Sequence, residues 1–210
     1  MDPQRGPASA VNPAAGAHKV TGDPAELEAA SRAAHETWNA FPYYEARFGE
    51  RGRRFGFSDA GWLVTLCGQT RADASEQVHW LAVVLSSRGM PSVMLEHHLG
   101  TLCDGLRAAI PERESKYDVL RVCARELKRE RRTRLSDARV RAVAALMPSA
   151  PVAGIGELLA SAAADEANGI PRAVRSMEEW LCSAERFEPA WIDAVERTIA
   201  AARAAVSKKR

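Results

Sequence analysis

Phe41, Tyr43, Tyr44, Phe48, Phe55, Phe57 and Trp62 fall between positions 41 and 62, interleaved with Arg47, Arg51, Arg53 and Arg54. These are seven of the thirteen aromatic residues of the chain, so no other stretch is comparably concentrated. Rings and guanidinium forks together can build a core corner, a groove for a partner or a pocket for an anionic planar ligand. Gly49, Gly52, Gly56 and Gly61 interrupt the stretch and favour irregular backbone and close approach of another group. Glu45 and Glu50 are too few to neutralise the four arginines locally. Tyr43, Tyr44, Arg47, Phe48, Arg51, Arg54, Phe55 and Trp62 are therefore the candidate residues for binding a ligand or partner.

A second constellation contains imidazoles. Glu76 and His79 have the ExxH spacing of one helix face, and Glu96, His97 and His98 follow on the next expected helix. Facing helices that each offer carboxylate and imidazole are how metal sites in bundles are made. A di-iron bundle needs two ExxH pairs, and this chain has one. Glu76, His79 and His98 are the candidate ligands for a transition metal or, through one axial histidine, for haem. The competing account makes His98 a core-edge imidazole with a hydrogen-bonding partner and leaves His97 solvated.

A basic run covers 121–134, with seven cations and two acids; Arg121, Arg125, Lys128 and Arg132 share one side of a helix. No aromatic residues stand between these cations for base stacking, and a net charge of +2 argues against nucleic acid as a partner. Residues 154–196 carry nine acids and three bases, which makes them the expected internal counterpart. Dinucleotide-binding, P-loop, nucleophile-elbow and HExxH motifs are all missing from the sequence, which leans against an enzyme.

The elements that must position these residues read as helices throughout. Asp23-Pro24-Ala25-Glu26 has the form of an N-terminal cap and opens a helix to about Phe41. Pro42 opens a short, glycine-interrupted helix, and Ser58-Asp59 is expected to cap another ending near Gly68. Helices over about 73–88 and 91–109 are joined by Arg88-Gly89-Met90-Pro91, too short for anything but a tight hairpin. The first is apolar almost all round, Trp80 included, so this pair is expected to be the buried centre. In 112–147 the apolar residues change side: Leu120, Cys123 and Leu127 oppose Val140, Val143 and Met147 at about 100° per residue. One straight helix cannot bury both sets, which predicts a break at Arg134-Leu135-Ser136 with Ser136 as the new cap. Helices near 155–167, 171–183 and 189–206 complete the chain.

The expected fold is an all-α bundle of about seven to nine helices around a central helical hairpin, preceded by a disordered Ala/Pro/Gly-rich leader at 1–22. Residues 23–210 form one domain, with a subdivision allowed near 148–153. Cys67, Cys103, Cys123 and Cys182 make no CxxC pair and read as buried free thiols of a reducing cytoplasm. No apolar run approaches the roughly 20 residues that a membrane span requires. The expected function is a non-catalytic cytoplasmic regulatory, sensor or adaptor module. It would bind a protein or a small anionic or planar ligand through residues 41–62, and a homodimer is allowed. The alternative is a haem- or metal-binding helical sensor or enzyme with the cofactor between the 73–88 and 91–109 helices.

Overall fold

In a computed structural model, residues 5–206 are described, and among them are nine α-helices and one short two-stranded ribbon. The chain divides into two compact units. The first comprises Met1–Val78 and Glu96–Arg125, the second His79–Leu95 and Glu126–Arg210. The loop at 148–153 lies inside the second.

The first unit narrows the expected leader. Residues 1–4 lie outside the described residues. From there, β1 (Arg5–Pro7) pairs antiparallel with β2 (Lys19–Thr21), Gly6 opposite Val20. Small side chains do the ordering: Ala8, Ala15 and Val20 are buried together, with Trp62 packed against them. Asn12 helps by accepting from the Ala14 amide through its own side chain at 3.1 Å.

Helix α1 (Pro24–Ala40) starts where the cap signal put it, the Asp23 carboxylate accepting from the amides of Ala25 and Glu26. Helix α2 (Pro42–Leu66) departs from expectation. It bends once, at Gly49, whose φ of 51° only glycine adopts without strain, and then continues unbroken through Ser58-Asp59. Ser58 is buried and its hydroxyl donates to the Phe55 carbonyl at 2.9 Å, a bond inside a helix rather than a cap. Gly52, Gly56 and Gly61 do not break the helix either. A Cβ on Gly56 would stand 3.2 Å from the Trp38 ring, and one on Gly61 3.2 Å from Val20. Their role is close packing of α2 on α1 and on β2.

Helices α3 (Arg71–Ser87), α4 (Ser92–Ala109) and α5 (Glu114–Arg134) form where the sequence pattern places helices. Each supplies residues to both units. Burial in α3 is narrower than its composition suggests. Val78, Leu81 and Ala82 are buried, but Trp80 is 58% exposed. Its Cβ points well away from the arc those three share, and an apolar side chain is not thereby an interior one. No helix among the described residues is long and apolar enough to cross a membrane.

In the second unit, Gly89 (φ 86°) makes the tight turn between α3 and α4, closed by the Gly89 and Met90 amides on the carbonyls of Ser86 and Leu85. The break predicted after Arg134 is present. Helix α6 (Asp137–Ala144) begins at Ser136, whose hydroxyl accepts from the Arg139 amide at 3.5 Å. Because that bond is long, Ser136→Ala is expected to cost only about 0.5 kcal/mol, the low end for a lost cap. Urea unfolding measures it, and a cost of several kcal/mol would mean that Ser136 has another role. Helices α7 (Ile155–Ala167), α8 (Ala173–Leu181) and α9 (Pro189–Ala205) follow, with α7 packed against α6, α8 and α9. Helix α7 is buried at nearly every position from Ile155 to Asp165, so it is the core of this unit.

Candidate functional site

The aromatic-arginine segment is almost all in α2, where the bend at Gly49 separates it into two groups. On the N-terminal side, Tyr43 is fully buried and its hydroxyl accepts from Arg47. Burial pushes the Tyr43 phenol up to about 12, although the Arg47 charge and hydrogen bond pull it back. The Arg47 guanidinium lies 5.0 Å from the Phe48 ring centre and 5.8 Å from that of Tyr43. Tyr44 is half-buried and its hydroxyl donates to the Gly52 carbonyl at 2.9 Å, which ties the two sides of the bend together. Burial, and then the Asp59 charge, push the Tyr44 phenol above its ordinary value.

Beyond the bend, Arg51 reaches over the half-buried Phe55 ring at 5.8 Å, and both Arg51 and Arg54 are exposed. Arg53 takes the one local carboxylate, its Nε donating to Glu45 at 2.7 Å, while its guanidinium covers Trp38 at 5.8 Å. Trp38 in turn makes an edge contact with Phe57 at 4.7 Å and stacks on Tyr44 at 6.4 Å. The rings are thus filled by one another. The structure brings Tyr43, Tyr44, Arg47 and Phe48 together on one side of the bend and Arg51, Arg54 and Phe55 on the other. It sets Trp62 apart, against the β1–β2 ribbon.

The candidate metal or haem ligands do not converge on a ligand set. Glu76 is exposed in the first unit. His79 is in the second, its Nδ1 3.5 Å from a Glu130 oxygen. His98 is half-buried and meets Thr37 at 3.0 Å through Nδ1, while the Thr37 hydroxyl donates to the Ala33 carbonyl. Burial, then the His97 charge, push the His98 imidazole down to about 4, so it is neutral at pH 7. Among the described residues no group of three or more His, Cys, Asp or Glu side chains could hold a metal ion. His97 packs edge-on against Phe41 at 5.3 Å. Cys67, Cys103 and Cys123 are buried, and burial pushes the Cys67 thiol up to about 12, away from thiolate reactivity.

Much of the basic run is answered within its own unit. Arg121 donates to Asp104, Arg132 to Asp137, and Arg134 to Asn168 at 2.7 Å. The buried acid Glu26 answers Lys116 just upstream, at 2.8 Å, and also accepts from Tyr117 at 2.9 Å and from Thr21. Sequence reasoning gave Glu26 the helix-start role and missed that it turns inward.

A cavity of about 130 Å³ in the second unit was also missed. Its inner polar lining is Ser92, Arg131 and Asp165, all buried, and His79, Glu130 and Asn168 also face it. Asp165 accepts from the Ser86 hydroxyl at 2.7 Å, the Ser92 amide at 2.8 Å and the Ser92 hydroxyl. It thereby caps α4 from α7 and pins both sides of the Gly89 turn. Burial pushes its carboxyl up, and the Ser92 and Ser86 bonds and the Arg131 charge pull it back. The signal was present in the sequence: a lone acid after the apolar stretch Leu158–Ala164, and an arginine one turn beyond Leu120, Cys123 and Leu127. Compared with known proteins, the chain matches no family model, no curated protein and no solved structure.

Proposed function

We infer that this chain is a non-catalytic binding module whose α2 face takes an acidic segment of a partner protein. One observation carries the reading. Arg51 and Arg54 stand exposed one turn apart, and neither has a carboxylate partner among the described residues, whereas neighbouring Arg53 is paired with Glu45. Phe48 and Phe55 are half-buried beside them and supply apolar edges of the kind that arginine-rich interfaces use. A protein fits better than a planar small molecule, because the spaces between the rings are taken up by Trp38, Tyr44 and Phe57.

The test is cross-linking of the chain in its native cells, wild type against the Arg51→Glu/Arg54→Glu double variant at matched abundance. The variant is expected to lose a species that the wild type retains, with its melting temperature unchanged. A partner interaction of this kind weakens by about tenfold or more on charge reversal and falls off with salt. Retention of the same species by the variant would remove this face as the docking surface.

A further inference from the structure

The cavity of the second unit has a composition that plain packing does not explain. Its wall is apolar on one part, from Ala82, Val83, Leu127 and Ile170. Its inner end presents a buried guanidinium, from Arg131, and a buried carboxylate, from Asp165. Desolvating charges of both signs in one small space is costly, and an apolar core of the same volume would be at least as stable. At its more open part, exposed His79 and Glu130 stand 3.5 Å apart.

We propose that this cavity binds a small zwitterion of the size of glycine or alanine, its carboxylate toward Arg131 and its ammonium toward Asp165 and Glu130. The charges select the class. A simple anion would meet Arg131 but also two carboxylates, and a simple cation would meet those carboxylates but also the guanidinium. A molecule with both charges satisfies both ends. The volume selects the size. About 130 Å³ corresponds to roughly four waters, or roughly five or six non-hydrogen atoms. Ser92, whose hydroxyl lines the space while donating to Asp165, connects an occupant to the start of α4. Arg131 also leans on Asp137 at 3.7 Å, longer than a good charge-assisted bond, so its fork can turn toward a ligand without losing a strong one.

The test uses the wild-type chain and five probes: glycine, L-alanine, L-leucine, sodium acetate and methylammonium chloride. Binding is read from the melting temperature and from the amide resonances of Ser92 and Gly169, both at the cavity. Glycine and L-alanine are expected to raise the melting temperature in a saturable way and to shift those two resonances. Leucine, acetate and methylammonium at equal ionic strength are expected to do neither. Arg131→Met, if it folds, should abolish the effect. His79→Ala alters the exposed edge without touching the buried charges, and should change affinity by less than tenfold. Equal effects of acetate and glycine would make this an anion site and overturn the assignment. No saturable shift with either amino acid would mean that the space holds only water, which overturns it as well.

Discussion

Gly156→Ala is expected to destabilise the second unit by about 3 kcal/mol or more, at the upper end for added core volume. A Cβ there would stand 2.6 Å from both the Cα and the carbonyl oxygen of Ala144, closer than such atoms approach. Both obstacles are backbone, so no side chain can rotate out of the way. Helix α6 cannot easily retreat. It buries Val140 and Val143, and Arg139 is bonded to the Ala205 carbonyl at the end of α9 at 2.9 Å. Urea and thermal unfolding measure the loss. Gly100→Ala is the matched control: nothing lies within 4 Å of a Cβ at that position in α4. Relief of helix-interior glycine should there add up to about 1 kcal/mol. Equal effects at the two sites would mean that α6 and α7 do not cross as closely as described.

The second large effect belongs to Glu26, 3% exposed and bonded to Thr21, Lys116 and Tyr117. Glu26→Ala removes the acceptor of two hydroxyls and an ammonium in a buried place, and should cost about 3–5 kcal/mol. Glu26→Gln should cost less, because the carboxamide oxygen can still accept from Tyr117. Its deficit should also depend on pH. Burial pushes the Glu26 carboxyl up, but the Lys116, Thr21 and Tyr117 hydrogen bonds outweigh burial and hold it below the ordinary glutamate value of 4.5. A group with a lowered pKa in the fold contributes stability that is present above 4.5 and lost as pH falls through the lowered value. The wild type should therefore exceed Glu26→Gln most at neutral pH and converge on it in acid. Asp23, held below its ordinary value chiefly by the Arg113 hydrogen bond, acts in the same direction. Asp165, pushed up by burial, acts in the opposite one, penalising the fold as pH rises from 3.8. The difference between wild type and Glu26→Gln isolates the first unit from that opposing contribution. A difference constant with pH would show that Glu26 is not ionised in the fold.

Helix positions were legible because their determinants are local. Asp23-Pro24 opens α1, Gly89 ends the α3–α4 turn, and the change of apolar side between Leu127 and Val140 locates the break before α6. The misreadings share one cause. Ser58-Asp59 has the form of a cap and Gly52, Gly56 and Gly61 have the form of breaks. Whether such residues stop a helix depends on what stands opposite, and here Tyr44, Trp38 and Val20 occupy the space the glycines leave. The leader misled for a similar reason: alanines and a valine too small to mark a core are buried once Trp62 covers them.

The sequence by itself determined that the chain is helical, where its helices begin and end, and which residues carry charge or rings. Periodicity and caps act over a few neighbours, so one dimension suffices to read them. Only the tertiary structure decided that the aromatic rings fill their own spaces, that Glu26 turns inward, and that Arg131 and Asp165 face one cavity. Asp165 lies 34 positions from Arg131 and 73 from Ser92. Groups so far apart along the chain meet through the packing of whole helices, which no local spacing records.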